Sequence, residues 1–429
     1  MKPIQIVQGA QYGSEAKGAI AAFLCQRDNI DFAVRTGATN AGHTVMWRGS
    51  PIKMQQLPVG WVNPHTQLVL GAGSMIDLTI LKREIAMVSD LTGTDTLRRL
   101  TIDYRAYIHD TSAAERARQS DRHHLIGATG KGCSEAVMDK IRLRGLKNLT
   151  IGRAAAGRDY PLADTAQLLN TSWDEGGSIQ LEGTQGTFLD LHLGPYPYTT
   201  HKQTGPAQWM MEAGLSPALP TDIVLVARTF PIRVAGNSGP LPQETSWPTL
   251  VRQMNVRLDV NGMSPIVPET ALSAFESAVR QVVKQKWSSK VPPGSDGLDQ
   301  HAWDGDDRMF YRDALSEIHR DALSSLPPDT IADLSAVFEL TTVTKKLRRV
   351  AELSMSDLRQ SVALNRPHQL VITFMNYVFP EYWGSLVPEL FPTERDYVNR
   401  IEKWLDVPVT YITRGPGPEH IINLGRQID

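Results

Sequence analysis

Cysteine is nearly missing: Cys25 and Cys133 are the only two in 429 residues. That excludes a disulfide framework and fits a reducing compartment, so the expected location is the cytoplasm. Long apolar runs are missing too. A membrane helix needs ~20 such residues, and LVLGAGSMIDLTIL is shorter and interrupted by Asp77. The opening residues, MKPIQIV, lack the apolar stretch of a secretory leader. Charge of one sign is not in excess, the formal net charge being −2. Neither a nucleic-acid polymer nor a membrane is therefore the expected partner. Core formers are not scarce: 41% hydrophobic against 21% charged residues excludes a mainly disordered chain.

What is present is an alternation of short apolar runs and helical patterns. Ile4–Val7, Phe32–Arg35, Gln67–Leu70, Ile179–Leu181, Ile223–Ala227, Leu370–Phe374 and Val409–Ile412 read as strands. Lys17–Gln26 and Ile76–Leu91 read as helices. Such alternation predicts an α/β fold with a large, mostly parallel sheet flanked by helices, opening on a P-loop-like strand, loop and helix. Ligands in such folds sit at the carboxyl ends of the strands. There is no internal repeat. Residues 285–308, rich in Pro, Gly, Ser and Asp, read as an exposed connection inside one unit spanning 1–429.

Several strands end in loops that could carry chemistry. GAQYGSEAKG (9–18) follows the first strand. It departs from the usual phosphate-loop spelling, because Ala16 precedes Lys17 and Gly18 stands where a magnesium-binding hydroxyl would follow. Its loop amides and Lys17 suit phosphate, while a plain strand-to-helix turn suits the same spelling equally well. His43 in TNAGHT is a general acid, a phosphate ligand or a surface residue. IGATGKG (126–132) and EGTQGT (182–187) are two more glycine turns. TTVTKKLRR (341–349) is either a solvated helix face or a cationic clamp for a small dianion.

Taken in order, these stretches resemble the adenylosuccinate synthetase family. That family has G-x-Q-W-G-D-E-G-K-G and N-A-G-H-T, matched here by GAQYGSEAKG and NAGHT. LPVG (57–60), LGAG (70–73), IGATGKGCSEAVMDKIRLRG, EGTQGTFLDLHLGPYPYTT and RVAGNSGPLPQE match its later segments. The resemblance implies a carbon–nitrogen ligase that phosphorylates the 6-oxygen of a purine nucleotide, with magnesium, before aspartate displaces the phosphate. It also implies a homodimer.

Carried over position by position, the resemblance makes Ser14, Lys17, His43 and Gln185 catalytic. The triphosphate donor would lie against Ser14, Glu15, Ala16, Lys17, Gly18, Gly42, His43 and Thr44. Its far end would meet Arg348, Thr373, Phe374, Asn376, Gly415 and Pro416. The purine nucleotide would be held by Ser14, Asn40, Thr129, Gln185, Thr200 and Val234. Arg142 or Arg144 would reach it across the dimer interface, since Leu143 occupies the family's arginine column. Aspartate would meet Thr341, Thr342, Lys345, Lys346 and Arg348, and magnesium would meet Ser14 and the Gly42 carbonyl.

Two departures matter. The family's loop aspartate is Ser14 here, and a hydroxyl cannot serve as a carboxylate base. The family's guanine-reading threonine-lysine-leucine-aspartate is TFMN (373–376). Asn376 both donates and accepts, the pattern adenine needs, and Phe374 offers a stacking face. Both changes resemble the phage branch, the 2-aminoadenylosuccinate synthetases, which take dGMP, L-aspartate and ATP or dATP. The expected substrates are therefore these. The alternatives are an ordinary family member acting on IMP, or a nucleotide-binding homologue without activity. A P-loop switch protein is disfavoured, because Gly18 lacks the hydroxyl it would need.

Overall fold

The computed structural model describes residues 2–109, 111–120, 125–126, 130–144, 150–287, 308–341 and 346–426. Most of connection 285–308 (residues 288–307), Thr129, Thr342 and Lys345 lie outside these.

The first apolar run extends to Ile4–Gly9 and is buried throughout, as a strand covered on both faces must be. It forms the middle of a ten-stranded sheet. On one side lie Thr221–Arg228, Gln369–Thr373, Val409–Thr413 and Ile421–Asn423. On the other lie Ile179–Glu182, Phe32–Arg35, Gln67–Leu70, Leu100–Asp103 and Leu162–Ala163. All neighbours are parallel except the edge pair Val409–Thr413 and Ile421–Asn423. The chain leaves Ile4–Gly9 toward the side of Phe32–Arg35, and leaves the adjacent Thr221–Arg228 toward the opposite side, that of Gln369–Thr373. The crevice at the carboxyl end of Ile4–Gly9 is the switch point where doubly wound sheets bind ligands.

Helices cover both faces of the sheet. Lys17–Arg27 buries Ile20, Ala21, Leu24 and Cys25 in one core with Val7, Ala33, Trp61 and Leu68. Leu358, Val398 and Ile401 pack with Leu225, Leu370 and Ile412 in another. A further apolar core forms between residues 232 and 377, among helices Trp247–Val260, Glu269–Val282, Arg308–Ser324 and Pro328–Ser335. It includes Tyr377 of the short helix Met375–Val378, which follows strand Gln369–Thr373, with Phe374 packed against it.

Two expected elements are corrected. The helix expected from Ile76 begins at Leu78, because Met75–Ile76 pairs as a strand with Tyr107–Ile108. Asp77 then caps the helix by accepting from the N–H groups of Thr79 and Ile80. The strand expected to include Phe374 stops at Thr373, since Phe374 turns into the left-handed region at φ 60°.

Candidate active site

The loop after Ile4–Gly9 makes a tight reversal, with Gly13, Ser14 and Ala16 at φ 88°, 62° and 66°. Ala16 precedes helix Lys17–Arg27 and offers no side-chain cap; its carbonyl accepts from the Ala19 and Ile20 N–H groups, which leaves those of Lys17 and Gly18 for a ligand. Two glycines close the cradle. A Cβ on Gly9 would come within 2.7 Å of the Gln185 carbonyl and 2.8 Å of Lys17 Nζ. A Cβ on Gly18 would come within 2.6 Å of His43 Cβ. The glycine spelling therefore draws the 9–18, 42–44 and 184–187 loops to one point.

Glu15 organises this loop from inside. It is fully buried; one oxygen accepts from the N–H groups of Gln11 (3.1 Å) and Gly13 (2.8 Å). The other takes Lys17 Nζ at 2.5 Å. Thr373 Oγ1 donates to the Glu15 carbonyl at 3.0 Å, tying the loop to the next strand but one.

Beside the loop lies a buried cluster in which His43 was expected as a site residue and Arg35 and Glu182 were not. Glu182 ends one strand and Arg35 ends its neighbour; their side chains pair and both reach His43. The other Glu182 oxygen accepts from the Val59 N–H at 2.7 Å, and Arg35 Nη2 donates to the Ala41 carbonyl at 2.7 Å. Because a carboxylate only accepts, the His43 proton lies on Nδ1 and leaves Nε2 for a ligand. Burial, then the Arg35 charge, lowers the His43 pKa to about 4, so the ring is neutral at pH 7. Burial alone would raise the Glu182 carboxyl, but Arg35 and His43 hold it below the usual carboxylate range.

A second network covers Ser14. Arg348 Nη1 donates to Ser14 Oγ at 2.9 Å, and Arg228 Nη1 donates to the Ser14 carbonyl at 3.1 Å. Arg228 also pairs with Glu339 at 2.5 Å and lies over the Phe374 ring, 3.9 Å from its centroid. One face of Phe374 is thus already covered. Residues 339–341 and 346–348 are not a helix face but pair antiparallel: the Arg348 N–H bonds to the Glu339 carbonyl, and the Thr341 N–H to the Lys346 carbonyl. Lys346 itself pairs with Glu317 at 2.6 Å.

Other expected residues fall as follows. Gly42 and Thr44 are exposed at the mouth of the cradle. Gln185 sits at φ 67°, half-buried; Asn40, Thr200 and Val234 are also half-buried. Thr200 Oγ1 lies 3.3 Å from His201 Nδ1. Asn376 is buried, and its amide makes no hydrogen bond among the described residues. Pro416 lines a groove of about 260 Å³ with Phe23, Val45, Trp47 and Pro418. Arg142 and Arg144 are exposed around the end of helix Cys133–Arg142.

Residues 6–156 and 153–378 match the family model described as adenylosuccinate synthetase. The chain belongs to the adenylosuccinate synthetase family. The adenylosuccinate synthetase of Thermococcus sibiricus is 27% identical over 434 residues, spanning 99% of this chain and 100% of that one. The one from Thermococcus onnurineus is 35% identical over 246 residues, 57% of this chain and 70% of that one. Two solved structures share the fold. The Plasmodium falciparum adenylosuccinate synthetase, fully ligated, has a TM-score of 0.68 at 17% identity, covering 98% and 100% of the two chains. The succinoaminodeoxyadenylate synthetase of cyanophage S-2L, bound to dGMP and dATP as an energy donor, has a TM-score of 0.66 at 22% identity, covering 99% and 95%. This member of the adenylosuccinate synthetase family is accordingly a carbon–nitrogen ligase that joins aspartate to a purine nucleotide. No described helix is long and apolar enough to cross a membrane.

Proposed function

We propose that the purine nucleotide is dGMP and the donor ATP or dATP, with L-aspartate joined at C6 to give 2-amino-2′-deoxy-N6-succinyladenylate. The observation that carries this reading is Ser14. It occupies the loop position where the family has an aspartate, and its hydroxyl is held by Arg348. A small neutral group there leaves room beside N1 for guanine's 2-amino group. Asn376 supports the donor assignment, since a buried amide free to donate and accept suits adenine's edge.

The residues then have the following work. The N–H groups of Lys17 and Gly18 receive the donor phosphates together with the Lys17 ammonium, which stays paired with Glu15. His43 meets the transferring phosphoryl or the 6-oxygen through Nε2. Bound phosphate charge favours uptake of a proton from solvent at Nε2, and Glu182 steadies the resulting imidazolium at Nδ1 as it donates to that charge. Gln185, Asn40 and Thr200 orient the purine nucleotide, and Thr341 and Arg348 hold the aspartate carboxylates. Ser14 Oγ and the Gly42 carbonyl are hard oxygen donors suited to magnesium. The described residues contain no group of three or more His, Cys, Asp or Glu that could hold a metal ion. A magnesium ion held at the Ser14 and Gly42 oxygens would neutralise phosphate charge. Exposed Met138 and Ile141, on the helix that ends at Arg142, support a homodimer whose partner lends an arginine.

A second reading, IMP as the nucleotide, is favoured by the archaeal relatives. The test is phosphate release from dATP in the presence of dGMP and aspartate. Release that requires both, with a product of mass dGMP plus aspartate less water, is the expected result. Release with IMP alone among the nucleotides contradicts the proposal, and no release with either points to a non-catalytic homologue.

A further inference from the structure

Phosphorylating a purine 6-oxygen requires the neighbouring N1 to lose its proton, and a hydroxyl at position 14 does not take it. Of the carboxylates around the loop, Asp357 is turned to Tyr12, whose hydroxyl donates to it at 3.2 Å, and three others are fully occupied. Glu15, 0% exposed, is occupied by Lys17 and two N–H groups. Glu182, 1% exposed, is occupied by Arg35, His43 and the Val59 N–H. Asp190 accepts from the N–H groups of His192, Leu193 and Thr204.

Glu339 differs. Its side chain is 24% exposed. Its Oε1 accepts from Arg228 Nη2 at 2.5 Å and from the Tyr377 hydroxyl at 3.2 Å. Among the described residues its Oε2 has only a long 3.4 Å contact, with Arg228 Nη1. That same Nη1 donates to the Ser14 carbonyl, so Oε2 and the Ser14 backbone share one nitrogen. Arg348, whose N–H bonds to the Glu339 carbonyl, places its guanidinium on the Ser14 hydroxyl. An under-used carboxylate oxygen therefore lies one donor away from Ser14.

We propose that Glu339 takes the N1 proton in place of the missing loop carboxylate. The N1–H bond breaks toward Oε2, and its electron pair becomes the C6–N1 double bond. The carbonyl electrons pass to O6, which bonds to the γ-phosphorus as the bond to the β-phosphate oxygen breaks. Glu339 keeps the proton until products leave. Burial would raise its pKa, but Arg228 and then Arg348, with the Tyr377 hydroxyl, hold it low, so the carboxylate is ionised and ready at neutral pH. The inference rests on the reading that a purine 6-oxygen is phosphorylated here, and holds for dGMP or IMP.

The experiment compares Glu339→Gln, Glu339→Asp and Glu339→Gln combined with Ser14→Asp, assayed with dGMP and with IMP. Glu339→Gln is expected to lower kcat by about 100-fold or more while the nucleotide KM moves by less than about threefold. Glu339→Asp is expected to retain more turnover than Glu339→Gln. Adding Ser14→Asp should return at least about tenfold of the lost turnover with IMP, because a carboxylate is restored beside N1. A Glu339→Gln enzyme within threefold of wild type overturns the proposal. So does a loss that Ser14→Asp does not relieve, since that marks Glu339 as structural support for Arg228. Wild-type preference for IMP combined with loss and rescue supports Glu339 while contradicting the dGMP assignment.

Discussion

Replacing Glu182 by glutamine keeps the side-chain volume and removes one charge from a pocket shared with Arg35 and His43. Arg35 is 1% exposed and would keep its charge with no carboxylate beside it. Breaking a buried pair from one side costs about 3–5 kcal/mol. Against a typical total of about 5–15 kcal/mol the variant stays folded, with a clearly lower urea midpoint. The catalytic loss has a separate cause. Without a carboxylate at Nδ1 the His43 ring is neither fixed in tautomer nor stabilised on taking a proton, so kcat should fall by about 100-fold or more. Substrate KM should change little, because Glu182 faces His43 and the Val59 N–H. The assays are the urea midpoint of the ligand-free protein and phosphate release at saturating substrates. A variant that keeps both its midpoint and its kcat would refute the coupling of Arg35, Glu182 and His43.

Three further outcomes are expected. His43→Asn should lower kcat by about 100-fold or more with nucleotide binding retained, as measured by single-turnover phosphate release and by titration. Ligand-free stability should fall with pH from about 6.5 to about 4: the folded His43 pKa lies below its unfolded value, so unfolding takes up a proton in that window. His43 alone accounts for about 3 kcal/mol of this loss, His201 adds in the same sense, and His43→Asn should flatten the urea-midpoint profile. Asn376→Asp should move the donor preference toward GTP by about 10-fold or more, because a carboxylate accepts from guanine's N1 and 2-amino groups. An unchanged ratio of kcat/KM for GTP over ATP would remove Asn376 as the base reader.

The sheet was largely legible because its strands are short apolar runs bounded by turns. Phe32–Arg35 and Gln67–Leu70 have the limits the pattern predicts. Ile76 was not legible as a strand residue, since its partner strand Tyr107–Ile108 is some thirty residues away. The glycine loops could be read because close approach demands particular residues, as at Gly9 and Gly18. Arg35, Glu182 and Arg228 were missed for the opposite reason. Each is a charged residue ending a buried strand, and its role depends on a partner distant in sequence. The available signal was position: a charge directly after an apolar run in a parallel sheet points into the crevice where ligands bind. Glu339 gave no signal, because only folding brings it to Arg228.

The dGMP assignment is tested most directly by the ratio of kcat/KM for dGMP over IMP, in wild type and in Ser14→Asp. A wild-type ratio above one is expected. Ser14→Asp should lower that ratio by about tenfold or more, because the added carboxylate crowds the 2-amino group that dGMP carries and IMP lacks. A wild-type preference for IMP, or a ratio that rises in the variant, would contradict it.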